Sequence, residues 1–433
     1  MSWFEKQFKL KEHNTDVRTE ILAGITTFMT MAYIIFVNPG ILSATGMPFG
    51  AVLVATCIGA AFATVLMAFM ANYPFALAPG MGLNAFFAFT VVLGMGISWQ
   101  VALAAIFVEG IIFILLTLTK VREEVVNSIP VALKLGISAG IGLFIAFIGL
   151  QSAGIIVNND AVLVGLTSFR ANPAALLALI GLLIMVALEI KKVRGGILIG
   201  IIAVTILGIP FGITQMPEGI VSAPPSLAPI FFKMDFSALK SLNFWIIVFT
   251  FFFVDFFDTV GTLVGVSCRA NMCDKDGKLP KATQALMADA IGTTVGAVLG
   301  TSTVTTYVES ASGVEQGGRT GLTALTVAVL FFLAMFLNPL ISIVPACATA
   351  PALIMVGGYM MMSFKDMKFD DWTEFFPALL AFFMMPFAYS IAAGIEFGVV
   401  SYVALKLVSG KHKDLHWIMY VLAALFILNR AFL

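Results

Sequence analysis

Charge is what this 433-residue chain has least of. Asp, Glu, Lys and Arg together make up 11% of it, against about 25% in an ordinary soluble domain. So little charge cannot solvate the surface of a globule this size, which excludes a soluble enzyme or scaffold. The 24 acidic and 24 basic residues cancel, leaving no basic excess for nucleic acid. Histidine occurs three times, at His13, His412 and His416, outside the fourteen spans predicted below, so a histidine proton relay is not expected. The four cysteines, Cys57, Cys268, Cys273 and Cys347, form neither a disulfide framework nor a metal cluster. Cys268 and Cys273 lack the two-residue spacing of a metal knuckle and have no histidine near them. No metal and no organic cofactor is expected. The polar N-terminus (Lys6, Lys9, Lys11, Asp16, Arg18) follows no apolar leader, so no cleaved signal is expected and the first apolar run acts as its own anchor.

What the chain has is apolar length, with 60% hydrophobic residues. A window of about 20 residues predicts fourteen membrane spans near 19–38, 50–71, 76–94, 98–119, 131–150, 173–190, 195–210, 243–266, 284–300, 303–320, 321–341, 346–363, 373–391 and 392–410. A further apolar stretch, 415–432, either spans or lies along the interface. With a cytoplasmic N-terminus and alternating sides, 20 of the 24 Lys and Arg residues fall in cytoplasmic loops, Lys120, Arg122, Arg269, Lys275 and Lys278 among them. The outside keeps Arg170, Lys233 and Lys240, with Arg430 unassigned. That bias is the one expected of a multi-pass protein of the cell membrane.

A faint repeat divides the spans seven and seven. Gly196-Ile-Leu-Ile-Gly200 in span seven echoes Gly394-Ile-Glu-Phe-Gly398 in span fourteen, and Cys57-Ile-Gly-Ala-Ala in span two echoes Ala290-Ile-Gly-Thr-Thr in span nine. Seven is odd, so the second half enters from the opposite side: an inverted repeat, with substrate expected at the midplane between the halves. Two segments at the third position of each half are poor helices. Ala78-Pro79-Gly80-Met81-Gly82-Leu83-Asn84 is rich in Pro and Gly, and Thr301-Ser-Thr-Val-Thr-Thr-Tyr307 is polar and β-branched. Broken backbone at membrane depth survives only where it is covered by protein or lines a cavity, and there its free N–H and C=O groups can hold a polar ligand.

Three acids lie at the same depth. Asp255 and Asp258 are three residues apart in Phe251-Phe-Phe-Val-Asp-Phe-Phe-Asp-Thr-Val, on one helix face, and Glu309 follows the second broken stretch. A carboxylate at the bilayer centre costs at least ~2.5 kcal/mol, so three together imply function, and a proton-coupled transport site fits them. Other polar residues have plainer readings. Glu109 and Glu396 read as structural. Asp289 precedes Gly292-x3-Gly296-x3-Gly300, a close-packing helix face. Glu315 and Arg319 are spaced to pair at i,i+4. Asn84 either joins the site or caps the half-helix after it.

The runs Ala78-Pro-Gly-Met-Gly-Leu-Asn-Ala-Phe-Phe, Phe253-Val-Asp-Phe-Phe-Asp-Thr-Val-Gly-Thr-Leu and Tyr307-Val-Glu-Ser-Ala-Ser-Gly-Val-Glu-Gln-Gly-Gly-Arg-Thr-Gly-Leu resemble those of the AzgA-type guanine/hypoxanthine permeases, within the nucleobase/ascorbate transporter superfamily. The resemblance covers essentially the whole chain. It implies an all-α polytopic fold with a core domain (1–125 and 241–343, spans 1–4 and 8–11) and a gate domain (126–240 and 344–433, spans 5–7 and 12–14). It also implies proton symport of purine bases by alternating access and a homodimer through the gate domain.

The chemistry agrees with that expectation. A neutral oxopurine offers adjacent ring N–H donors, which a carboxylate binds with charge-assisted hydrogen bonds. Glu309 is the expected principal ligand, with one of Asp255 and Asp258 as its partner or as the proton carrier. Like charges in a dry site cannot all ionise, so at least one acid should hold a proton. Asn84 and the backbone of Leu83 and Val308 complete the expected site, and Phe86 or Tyr307 stacks on the base. Which of guanine, hypoxanthine and adenine is preferred is not readable. The competing readings are a same-fold carrier for xanthine, uracil or urate, and an intramembrane aspartyl enzyme. The enzyme needs one acid from each of two facing helices, whereas Asp255 and Asp258 share one.

Overall fold

The computed structural model describes residues 3–119, 130–217, 219–269, 272 and 279–432. Lys120, Arg122, Cys273, Lys275 and Lys278 lie outside these residues, as do the side chains of Cys268, Arg269 and Arg430, so the expectations resting on them are not tested there. The chain is helical throughout its apolar runs. Among the described residues, eight helices are long and apolar enough to cross a membrane, and shorter apolar helices include Met81–Gly94, Gly196–Gly208, Leu242–Phe256 and Trp372–Phe387. With helix Ala282–Leu299 and the broken stretch ending in Ser310–Glu315, they make the fourteen expected segments. Segment nine is less apolar because it is an interior helix: Asp289, Thr293 and Gly292 are buried, and Gly292 lies against Ala63 of segment two. The last apolar stretch forms helix Trp417–Phe432.

Polar side chains start the helices where the chain leaves water. Asp16, Asn172, Thr320, Asp371 and Ser390 each accept a first-turn N–H at the N-cap of their helix. Four short strands interrupt the helical pattern: β1 (Leu77–Pro79), β2 (Ile156–Asn159), β3 (Leu163–Leu166) and β4 (Val304–Thr306). β2 and β3 pair as an antiparallel hairpin between segments five and six, a feature that the apolar pattern does not contain.

The residues fall into two compact units by contact. The first comprises Met1–Thr117 and Ser152–Ala352, and the second Leu118–Gln151 and Leu353–Leu433. Segments six and seven therefore group with the first unit, whereas the expected division by repeat places them with the gate. They pack on each other, with Gly181 against Val204, and Gly195 at the start of segment seven meets Met29 of segment one.

The inverted repeat is visible inside each unit. In the first, β1 and β4, the equivalent strands of the two halves, pair antiparallel in the register Leu77↔Thr306, Ala78↔Thr305, Pro79↔Val304. Equivalent helices anchor them equivalently: Thr64 of segment two donates its hydroxyl to the Leu77 carbonyl at 3.1 Å, and Thr293 of segment nine donates to the Val304 carbonyl at 2.8 Å. Segment two packs on eleven as segment nine packs on four, and segment one on eleven as eight on four. In the second unit, Gly142 of segment five and Gly357 of segment twelve cross so closely that a Cβ on either would lie 2.6 or 2.4 Å from the other's carbonyl oxygen. Segments five and twelve occupy the fifth position of their halves.

Candidate functional site

The two strands cross at the centre of the first unit because their residues allow it. β1 has a proline, which cannot continue a helix, followed by Gly80, where a Cβ would lie 2.2 Å from the Thr305 methyl. The Gly80 N–H donates to the Thr303 carbonyl at 2.9 Å, and Tyr307 N–H donates to the Ala76 carbonyl at 3.0 Å. Tyr307 also donates its hydroxyl to the Pro79 carbonyl at 2.6 Å, and Ser310 Oγ accepts the Ala76 N–H at 3.0 Å. The broken backbone is thus satisfied strand to strand, as membrane depth demands.

From this crossing a half-helix leaves each strand. Gly80 is the N-cap of the first, so Met81, Gly82 and Leu83 supply its first-turn N–H groups, which have no intrahelical acceptor. Asn84 is consequently not the cap. It is fully buried one position further on, and its carbonyl oxygen accepts from the Ser302 hydroxyl of the other broken segment. Glu309 is the N-cap residue of the second half-helix, Ser310–Glu315, with Val308 exposed beside it.

The acids separate into two groups. Glu309 is half-buried, and its Oε1 accepts the Tyr33 hydroxyl at 2.6 Å. Asp258, also half-buried, accepts the Thr305 hydroxyl at 3.2 Å. A carboxylate has about four lone-pair sites, so each keeps acceptor capacity for a ligand. Asp255, one turn from Asp258 on the same helix face, is fully buried and has different partners. Its Oδ1 lies 3.4 Å from Thr259 Oγ1, which also donates to Asp289 of segment nine at 3.0 Å. Glu109 of segment four reaches the same place: its carboxyl is in hydrogen-bonding contact with Asp255, and its Oε2 lies 3.4 Å from the Thr303 hydroxyl. Of the two aromatic candidates, Phe86 is buried edge-to-face against Phe251, with centroids 4.8 Å apart, and Tyr307 lies 6.5 Å from Tyr33.

Sequence reasoning missed Tyr33, Glu109 and Glu20 as members of this arrangement. Thr26, Thr30 and Tyr33 recur at helical spacing in an apolar run, a stripe that could have flagged the face turned to Glu309, and Thr30 Oγ1 is indeed 3.0 Å from Ser312 Oγ. Glu20 accepts the backbone N–H groups of Arg319 (2.8 Å), Thr320 and Thr323 (each 3.2 Å) and so caps segment eleven from segment one. Arg319 donates to the Val314 and Gly318 carbonyls, at 2.6 and 2.8 Å, rather than pairing with Glu315 as its spacing predicts. The reason is local: the chain turns at Gly317 and Gly318, folding the guanidinium back over the helix end.

Residues 18–397 match the xanthine/uracil permease family, described as a permease family. The chain belongs to the purine nucleobase permeases. It is 54% identical to a putative permease of Methanocaldococcus jannaschii over 433 residues, covering 100% of this chain and 99% of the relative. It is 46% identical to the adenine permease AdeP of Escherichia coli (99% of this chain, 96% of the relative) and 46% identical to the guanine/hypoxanthine permease PbuG of Bacillus subtilis (98% and 99%). Among solved structures, the transmembrane domain of the cyanobacterial bicarbonate transporter BicA superposes with a TM-score of 0.65 at 16% identity, covering 90% of this chain and 97% of that one. The fold is therefore the seven-plus-seven inverted repeat, and this permease is a transporter rather than an enzyme.

Proposed function

We propose that this permease imports purine nucleobases together with protons, by alternating access of a core domain (1–125 and 241–343) against a gate domain (126–240 and 344–433). The observation that carries the reading is the antiparallel crossing of two broken segments with Glu309 and Asp258 beside it, half-buried and each accepting a hydroxyl. Such carboxylates can accept adjacent purine N–H groups, and the first-turn N–H groups at Gly82 and Leu83 suit the purine carbonyl. Glu309 is the principal ligand and Asp258 its partner. Asn84 orders the crossing through Ser302, Val308 borders Glu309, and the base stacks on an aromatic of the broken segments, Phe86 or Tyr307. The N-terminus is cytoplasmic, the membrane is the cell membrane, and the gate domain forms a homodimer contact.

Relatives named for adenine and for guanine/hypoxanthine are equally similar to this chain, so both classes belong in the test. Labelled hypoxanthine and adenine are offered to proteoliposomes with and without an inward proton gradient, in competition with guanine, xanthine and uracil. Gradient-driven accumulation blocked by guanine or adenine supports the proposal and ranks the bases. Accumulation of uracil or xanthine alone would replace it with a same-fold carrier for those bases. Purine accumulation indifferent to the proton gradient would remove the coupling.

A further inference from the structure

We infer that Glu109 and Asp255 hold one exchangeable proton between their facing carboxyl groups, at a site separate from the acids proposed to bind purine. Both residues are fully buried, Glu109 on segment four and Asp255 on segment eight, and their carboxyls are in hydrogen-bonding contact. Thr303 approaches Glu109 Oε2 and Thr259 approaches Asp255 Oδ1, but among the described residues Glu109 Oε1 and Asp255 Oδ2 have no donor. Two ionised carboxylates are acceptors only and cannot satisfy each other. One proton makes either a donor and satisfies both orphaned oxygens at once.

Among the described residues, the charged groups recorded facing the pair are acidic: Asp258 from segment eight itself and Asp289 from segment nine, with the Thr303 hydroxyl from the broken segment. The ion pairs of Lys9, Lys406 and Lys411 lie elsewhere. A proton fits better than a metal ion, because among those residues no three acidic, histidine or cysteine side chains converge to hold one. Aromatic packing shields the pair. One turn from Glu109, the Phe113 ring packs edge-on against Phe252 and Phe256, with centroids at 5.7 and 6.1 Å, closing the joint between segments four and eight. Asp255 is one turn from Asp258, so the charge state of the pair is felt where the purine is proposed to bind. The coupling consequence rests on the proposed transport function; the shared proton does not.

The test is infrared difference spectroscopy of the full-length protein in liposomes, without purine, over a pH titration. Wild type is compared with Glu109→Gln, Asp255→Asn and the double variant. The amide of either substitute donates to the remaining carboxylate and keeps it ionised. One shared proton therefore predicts that each single variant removes the same protonated-carboxyl band and that the double variant removes no more. Loss of two different bands, loss of none, or displacement of the band by sodium at constant pH would overturn the inference. Uptake then reads the consequence: in Glu109→Gln the ratio of gradient-driven hypoxanthine accumulation to equilibrium exchange falls at least tenfold, and an unchanged ratio would overturn the coupling role. Absence of any purine exchange in the wild type would sink the proposed function and leave the infrared result standing.

Discussion

The two compact units differ in what their buried charge is set against. In the first, Glu20, Glu109, Asp255 and Asp289 are all fully buried, and their described partners are hydroxyls, backbone N–H groups and one another. In the second, Glu396 is buried and so is Lys406, whose ammonium is 2.6 Å from Glu374; that carboxylate also accepts the Tyr402 hydroxyl at 2.8 Å, and Asp414 lies 3.7 Å away. An acid held by a hydroxyl keeps room for a proton or a ligand donor. A lysine clamped by a carboxylate has its charge already answered, and breaking such a pair strands it. The first arrangement suits a site that loads and unloads, and the second a scaffold that stays assembled.

Substitutions can break or sharpen that contrast. The largest effect is expected from Glu309→Gln, which removes the charge from the proposed purine ligand. Losing a buried charge-assisted contact costs about 3 kcal/mol, over a hundredfold in affinity, read as purine binding to the purified protein. Full binding in both this variant and Asp258→Asn would rule out the site assignment. Tyr33→Phe is the gentler version, since it removes the 2.6 Å donor to Glu309 and keeps the ring. A hydrogen bond to a charged group contributes about 1.5 kcal/mol or more, so roughly a tenfold rise in KM is expected, with little change in thermal stability.

The second unit should answer in the other currency. Glu374→Gln removes the nearer of the two carboxylates beside Lys406 and leaves the more distant Asp414. Because Glu374 is partly exposed, a loss of about 1–3 kcal/mol of stability is expected, seen as a lower Tm in detergent with unaltered substrate affinity. The smallest effect belongs to Asp371, at the N-cap of segment thirteen and outside the membrane. The Lys411 ammonium at 2.7 Å, with the Thr373 hydroxyl and N–H, holds its carboxyl well below the usual carboxylate range. The native value is depressed, so the group stabilises the fold at pH above about 4 and loses that contribution as pH falls toward the native value. Asp371→Asn should therefore lower Tm slightly at neutral pH, and the two proteins should converge on acidification below that point. Equal Tm values at neutral pH would show that the pair contributes nothing.

Much of the architecture is legible in the chain because it follows from local chemistry. A proline followed by Gly-Met-Gly, or a run of Thr and Ser, cannot make a regular helix at membrane depth, and a carboxylate in a phenylalanine-rich run stands out against its cost. These rules located both broken segments and Asp255, Asp258 and Glu309. They left Asn84 open between cap and site, where Gly80 proves to be the cap, and they paired Arg319 with Glu315, where a glycine-bearing turn carries the guanidinium back to carbonyls. They also could not connect Tyr33 to Glu309, which lie 276 residues apart.

By itself, then, the sequence determined that this protein lies in a membrane, where its apolar segments run, where they break and which acids they must shelter, because each depends on composition within one helical span. Which acids meet was decided only by the tertiary structure. Crossing β1 with β4 turns Asp258 toward Thr305, while packing segments four, eight and nine together sets Asp255 against Glu109 and, through Thr259, beside Asp289. Two carboxyls one turn apart on the same helix thereby acquire different neighbours. That separation arises from long-range packing, which no local pattern encodes.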